Sequence, residues 1–167
     1  IGVSYWISEI DNKKTNQTGR RKAWSVFSKL NYGALGLTLT GGENDISNKD
    51  LIHPDTSLMG SYDSEYAVAN KATYYTADLG YTFKDVQQIG NITPYFMHSR
   101  YNKDLSGSQD STRNILGVSI DHKQLSLLAE YIVSKNDPFI GGNFSSLAQG
   151  DDNKWNKLLN LTLFYYF

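Results

Sequence analysis

The stretch Trp155–Phe167, WNKLLNLTLFYYF, alternates at the two-residue period of a β-strand. Its almost uniformly apolar face carries Trp155, Leu159, Leu161, Leu163, Tyr165 and Phe167. The opposite face is largely polar or amphipathic. A soluble protein rarely leaves such a strand exposed, because an apolar edge pairs with other chains. In a membrane barrel the same strand has lipid on one side, the lumen on the other and no free edge. The stretch therefore favours a strand of a transmembrane barrel.

Composition bounds the class of protein. The chain has 167 residues, no cysteine and a formal net charge of −1. Disulfide scaffolds are therefore excluded, and nothing predicts a nucleic-acid partner. Mean hydropathy is −0.46, and no apolar run approaches ~18 residues, which excludes transmembrane helices. A barrel remains compatible with low hydropathy because only alternate residues face lipid. The twelve Tyr and three Trp suit the two interfaces of a membrane.

Eight segments alternate at period two. They are Ile1–Ile10, Arg20–Tyr32, Ala34–Gly42, Ala72–Phe83, Asn91–Tyr101, Thr112–His122, Leu125–Ser134 and Trp155–Phe167. The connections between them run long, short, long in turn, as in outer-membrane barrels with long external loops and short periplasmic turns. The pattern predicts one all-β domain over residues 1–167, an antiparallel up-and-down transmembrane barrel with a periplasmic C-terminus. A soluble antiparallel barrel or sandwich is the alternative fold.

Two barrel sizes are compatible with eight strands. The strands can close alone around an interior filled by side chains, or they can form the C-terminal half of a roughly 16-stranded barrel with a water-filled lumen. Many predicted inward positions are Gly, Ala, Ser or Thr, which favours the wide pore. Inward charges that nearly balance favour instead a packed interior, because a buried charge needs a partner.

Seven ionisable residues are predicted to line the lumen. They are Lys29, Asp78, His98, Arg100, Arg113, Asp121 and Glu130. The basic members can form a ladder that favours anions, as rings of charge do in other pores. The three carboxylates argue against strong selectivity, and a structural network along the wall is the alternative interpretation.

A basic run, Arg20, Arg21 and Lys22, lies at the predicted external end of the second segment. It predicts contact with lipopolysaccharide phosphates or an anion-attracting mouth, against the alternative of solvated residues flanking a strand. The acidic stretch Glu43–Glu65 offers oxygen ligands, but its spacing matches no calcium loop, so no metal site is predicted.

No catalytic constellation is predicted, and no cofactor. Catalysis by a barrel enzyme needs a nucleophile or water oriented by His and a carboxylate or amide. His98 and Ser99 are neighbours on a strand and point to opposite faces, so they cannot pair. We therefore expect a protein that is not an enzyme.

Three stretches resemble the last strands of Gram-negative porins, in particular the phosphate-selective and general porin families. They are Asn91–Tyr101 (NITPYFMHSRY), Ile115–Asp121 (ILGVSID) and Leu128–Gly142 (LAEYIVSKNDPFIGG). The aromatic C-terminal strand also resembles the terminal signature of bacterial outer-membrane barrels, and the likeness covers roughly the C-terminal half. A complete porin is about twice as long.

The resemblance implies an outer-membrane channel for passive diffusion of small hydrophilic solutes or ions. It also implies membrane lipid and lipopolysaccharide as partners, and a homotrimer as one form of assembly. In that family the terminal strand, here Leu161, Leu163, Tyr165 and Phe167, is read by the barrel-assembly machinery. The alternative function is a complete eight-stranded structural or adhesion barrel with a closed lumen. A soluble lipid-binding barrel is a third hypothesis.

Overall fold

A computed structural model describes residues 1–61 and 64–167. These residues form eleven β-strands and no helix, and thus contain no helix able to cross a membrane. The all-β prediction is confirmed. The strands are β1 (Gly2–Asn12), β2 (Gln17–Tyr32), β3 (Leu35–Ser47), β4 (Thr56–Ser61), β5 (Ser64–Ala69), β6 (Lys71–Tyr81), β7 (Phe83–Val86), β8 (Gly90–Lys103), β9 (Ser111–His122), β10 (Leu125–Lys135) and β11 (Asn156–Tyr165).

One antiparallel sheet holds most of the chain. Its main path follows the sequence in the order β1-β2-β3-β6-β8-β9-β10-β11, with the short β7 paired to one end of β8. A separate hairpin, β4–β5, lies within the connection between β3 and β6. The sheet is not closed: within the described residues, β1 pairs only with β2, and β11 pairs only with β10. The eight strands of the main path lie at the eight segments predicted from the sequence.

The two ends of the sheet differ in their connections. We call the end with the long connections at residues 48–70 and 136–155 the loop end, and the opposite end the turn end. Two turn-end connections are two-residue hairpin turns, Gly33-Ala34 and Lys123-Gln124. Gly33 and Lys123 take positive φ values of 60° and 52°, as tight hairpin turns require.

The predicted alternation of long and short connections holds only in part. The predicted loop Asp11–Gly19 is wrong, because β1 and β2 pair as far as Asn12 and Gln17 and leave a four-residue turn. The Asn12 side-chain oxygen closes that turn by accepting hydrogen bonds from the backbone N–H groups of Lys14 and Thr15. Polar side chains at these strand ends point into water, so polarity alone does not mark a loop.

The buried core is small and lies on one side of the sheet. Its main cluster consists of Ile115, Ile132 and Ile140, against which Tyr95 and Met97 pack. The total accessible surface is 11023 Å², whereas a folded monomer of 18.8 kDa exposes about 8,300 Å². The excess means that this chain leaves far more surface uncovered than a self-contained globular domain does.

Candidate functional site

Strand register defines two chemically different faces, because paired residues on neighbouring strands point to the same side. One row of paired residues is apolar throughout: Leu30, Leu37, Leu79, Phe96, Leu116, Tyr131 and Leu159. The adjacent row, on the opposite side, is Asn31, Gly36, Gly80, Tyr95, Gly117, Glu130 and Asn160. We call these sides the apolar face and the polar face.

The apolar face is exposed. Leu159, Leu161 and Leu163 retain 67%, 66% and 66% of their accessible surface, and large exposed apolar side chains occur on this face in every strand of the main path. A monomer in water rarely exposes a contiguous apolar patch of more than a few hundred Å². An exposed apolar face of this extent is typical of surfaces that contact lipid or another protein.

The exposed apolar side chains form a band inclined to the rows of paired residues. Its loop-end edge is Ile7 in β1, which pairs with Lys22 of β2. In β11 the edge is Leu159. The row of paired residues that contains Leu159 includes Leu30 of β2, which is eight residues along β2 from Lys22. Eight residues span about 27 Å, and seven strand spacings about 34 Å. The band is thus inclined by about 38°, within the ~35–45° tilt of strands in membrane barrels.

The polar face carries a hydrogen-bonded row built around glycines. The Tyr95 ring crosses Gly117 of β9, and its hydroxyl donates to Oε1 of Glu130 on β10 at 2.6 Å. Nδ2 of Asn160 on β11 donates to Oε2 of the same carboxylate at 2.8 Å. A side chain in place of Gly117 would occupy the space of the ring, because its Cβ would lie 2.3 Å from Tyr95 Cζ. The row fixes a carboxylate on the polar face across four strands.

An open trough of about 530 Å³ lies on the polar face towards the turn end. Its lining includes Lys29, Asp78, Tyr95 and Glu130, with small residues such as Gly80 between them. Both signs of charge therefore face the same space, with small residues between them.

The connection between β10 and β11 folds back onto the polar face. We call its residues 136–150 the inward segment. Ile140, 7% exposed, packs on Ile115 and Ile132 of the polar face. The segment also forms a parallel bridge to the β4–β5 hairpin, between Leu147 and Val68. The long loop predicted at Lys135–Asn153 is present as the connection between β10 and β11, and its apolar residue Ile140 covers the polar-face isoleucines.

An ion pair fixes the inward segment to β9. Nε of Arg113 donates to Oδ2 of Asp137 at 2.7 Å, and its NH2 group donates to Oδ1 at 2.9 Å. The Asp137 side chain is 7% exposed and that of Arg113 34%. A bidentate pair that buries one carboxylate is geometrically specific, and loss of the cation would leave that carboxylate without its main partner.

Buried polar groups add further anchors. The Lys103 ammonium, at the loop end of β8, donates to the carbonyls of Gln109 and Ser146, both at 2.5 Å. Asn136, 1% exposed, donates to the Asp110 carbonyl and accepts from the Asp151 N–H. These bonds tie the inward segment to the neighbouring connection at residues 104–110, so the loop end is a packed structure.

The Asp110 carboxyl, in the connection between β8 and β9, has a lowered pKa. Burial alone would raise the pKa of Asp110, but hydrogen bonds from Arg100 and from the Lys103 backbone N–H, with both cations nearby, hold it below its usual value. Asp110 therefore carries its charge throughout the neutral range and keeps its 2.8 Å ion pair with Arg100.

The seven predicted lumen residues do not share one face. Asp78, Arg113, Asp121 and Glu130 lie on the polar face, as does Lys29. His98 and Arg100 occupy alternate rows and lie on the apolar side, beyond the band edge at Phe96. The assumption that those two face inward is wrong, because the register places Tyr95 and Met97 opposite Gly80 and Asp78. That the other five line a pore stays a prediction.

The basic run is divided between the two sides of β2. Arg20 and Lys22 lie beyond the band on the apolar side, opposite Glu9 and Ile7. Arg21 lies on the polar side, with its guanidinium 4.7 Å from the Trp6 ring centroid and its Nε donating to Oδ1 of Asn44. A common lipopolysaccharide contact for all three residues does not fit this arrangement.

The predicted terminal strand is present. Leu161 and Leu163 pair with Ala129 and Leu127 on the apolar face, and Tyr165 pairs with Leu125. Phe167 follows the strand and is fully exposed, with its ring edge-on to Tyr165 at 5.1 Å. The role of these residues in assembly stays a prediction.

Three polar-face residues were not identified as site residues from the sequence: Trp6, Tyr74 and Tyr95. Glycines opposite Tyr74 and Tyr95, at Gly42 and Gly117, are the signal that marks the two tyrosines. A ring placed across a glycine on a neighbouring strand is a recurrent cross-strand pair, but it is recognisable only once the register is known.

Within residues 1–61 and 64–167, no group of three His, Asp or Glu side chains is placed to hold a metal ion. Comparison of the chain with protein-family models, curated proteins and solved structures gave no match.

Proposed function

We propose that the sheet is part of the wall of a transmembrane β-barrel in a bacterial outer membrane, and that its polar face lines a water-filled channel for small hydrophilic solutes or ions. The observation that carries the proposal is the exposed, inclined apolar band across the strands of the main path. A band of this kind needs lipid, and its inclination matches the strand tilt of membrane barrels.

The open edges of the sheet bear on the size of the barrel. A spanning sheet must close, because unpaired backbone groups are not tolerated in lipid. The wide trough and the glycines of the polar face favour a barrel with more strands than these eight, as the resemblance to the C-terminal half of a roughly 16-stranded porin implies. In this arrangement the turn end and Phe167 face the periplasm and the loop end faces outwards.

The inward segment favours a second candidate, a small barrel with a closed lumen and a structural or adhesive role. Ile140 and its neighbours already fill part of the polar face, as the interior of an eight-stranded barrel must be filled. The Arg113–Asp137 pair would then be part of a packed interior network.

Conductance separates the two candidates. The full-length protein, purified in detergent, is added to planar lipid bilayers and single-channel currents are recorded in KCl. The channel predicts stable stepwise conductance. Membrane insertion without conductance would favour the closed barrel, and a chain that stays monodisperse without detergent and fails to insert would contradict both.

We expect the trough carboxylates to influence ion preference. The double variant Asp78→Asn, Glu130→Gln keeps both shapes and removes two negative charges from the trough. Permeability of K⁺ relative to Cl⁻ should fall by roughly a factor of two or more, since a nearby charge in screened water acts with about 0.5 kcal/mol. The measurement is the reversal potential in a KCl gradient.

The matched control removes two charges outside the trough. Glu9→Gln with Asp11→Asn alters the apolar-face side of β1 near its loop end, and it should leave the reversal potential unchanged. Equal shifts in both double variants would show that the trough does not face the ion path.

A further inference from the structure

Basic side chains follow the loop-end edge of the apolar band. Lys71, Arg100, Lys135 and Lys157 lie on the same side of the sheet as the band, in β6, β8, β10 and β11. Their positions shift along the strands in the same direction as the band edge does. We call these four residues the basic rim. Such a rim places positive charge along one edge of the apolar band.

Carboxylates are distributed differently along this edge. In β1 and β3 the apolar side beyond the band carries Glu9, Glu43 and Asp45, which lie beside Arg20 and Lys22. In β6, β8, β9, β10 and β11 the same side carries neither Asp nor Glu. Positive charge on this part of the edge is therefore not balanced by carboxylates on its own face.

Two lysines and a tryptophan form the densest part of the rim. Lys135 pairs with Thr112, and Lys157 pairs with Val133, two residues before Lys135 on β10. The Lys135 ammonium lies 5.5 Å from the ring centroid of Trp155, which is 49% exposed. Arg100, by contrast, already has a carboxylate partner in Asp110. Lys135 and Lys157 have none among the described ion pairs.

We infer that Lys135, Trp155 and Lys157 bind the phosphate group of an anionic membrane lipid. The inference rests on the proposed membrane position of the band. Tyr131 and Leu159 lie directly below the cluster on the apolar face and contact the acyl chains of the lipid. The two ammonium groups reach its phosphate, and Trp155 occupies the interface between acyl chains and headgroups.

The position of the cluster selects a lipid over a dissolved anion. The lysines lie on the side of the sheet away from the trough, at the edge of the band, where solutes in the lumen do not reach them. Each lysine close to an anionic membrane surface strengthens attraction about fivefold. Removal of both should weaken binding of the anionic lipid by about 30-fold.

The test uses the full-length protein in vesicles of phosphatidylcholine with and without phosphatidylglycerol. Retained lipid is measured by native mass spectrometry after mild detergent extraction, for the wild type and for Lys135→Gln/Lys157→Gln. We expect the wild type to retain phosphatidylglycerol preferentially, and the variant to lose that preference while inserting and conducting as before. The matched control, Lys13→Gln/Lys14→Gln, removes two exposed charges from the loop-end turn between β1 and β2 and should retain the lipid.

Several results would overturn the inference. Equal lipid retention by wild type and Lys135→Gln/Lys157→Gln, or equal loss in the control, would contradict a specific cluster. Competition by inorganic phosphate at millimolar concentration would indicate a general anion site. In each of these cases insertion and conductance still stand, so the proposed function survives. A wild-type chain that does not insert into either vesicle would remove both.

Discussion

Replacement of Arg113 by alanine is expected to release the inward segment from the polar face and to lower the free energy of unfolding by about 2–3 kcal/mol. The change leaves the Asp137 carboxylate, 7% exposed, with only the Phe139 N–H as a described hydrogen-bond donor. Loss of one partner of a buried charge pair costs about 2–5 kcal/mol, and the partial exposure of Arg113 places the cost in the lower half of that range. Urea unfolding in lipid vesicles measures it.

The chain offers a matched control in Arg100→Ala. The Arg100–Asp110 pair has a similar separation of 2.8 Å, but its side chains are 45% and 32% exposed. An exposed pair contributes about 0–1 kcal/mol, so Arg100→Ala should change stability little. Limited proteolysis within residues 141–145 should accelerate in Arg113→Ala alone. If the two alanine variants unfold at the same urea concentration, the ion pair does not hold the inward segment.

Replacement of Gly117 by alanine is expected to displace the Tyr95 ring and to cost about 1–3 kcal/mol. The added Cβ would lie 2.3 Å from Tyr95 Cζ and 2.6 Å from the hydroxyl. The ring must leave its place, and the hydrogen bond to Glu130 is lost with it. The measurement is the urea midpoint of unfolding, together with the tyrosine environment reported by near-ultraviolet circular dichroism.

Gly80 provides the control for this prediction, because it is paired with Tyr95 from the other side. A Cβ at Gly80 would meet its nearest atoms at 3.4 Å or more, an ordinary contact. Gly80→Ala should therefore be neutral or stabilise slightly, since alanine restricts the unfolded chain more than glycine does. In a Tyr95→Ala background the cost of Gly117→Ala should largely disappear. If it persists there, the ring is not the reason for the glycine.

The sequence predicts the eight main strands because most of them have one apolar and one polar face. In β3 the alternation of Leu35, Leu37 and Leu39 with Gly36 and Thr38 shows which residues lie on the apolar face. In β8 both sets of alternate positions carry apolar residues. The sequence pattern therefore does not show whether Ile92 and Phe96 or Tyr95 and Met97 lie on the apolar face. The pairing of Tyr95 with Gly117 decides which side of the sheet each residue of β8 faces. The sequence of β8 by itself does not contain that information.

The inward segment was beyond local prediction for a different reason. Its Asn, Asp, Gly and Ser residues are those of an exposed loop. What turns it inwards is tertiary: Asp137 meets Arg113, and Ile140 meets Ile115 and Ile132. No local sequence pattern identifies these contacts, because the partner residues lie on strands β9 and β10, outside the segment itself. Alternation at period two therefore predicts the strands of the sheet far better than the contents of its polar face.

The unpaired edges of β1 and β11 have a consequence for the order of events in biogenesis. These strands have 11 and 10 residues, and about half the residues of an edge strand direct N–H and C=O groups away from their neighbour. Each such group costs several kcal/mol in hydrocarbon, so the open sheet would be unstable there by tens of kcal/mol. If the band faces lipid, pairing of each edge with its partner strand and transfer from water into hydrocarbon must be one concerted event, with no stable half-inserted state between them.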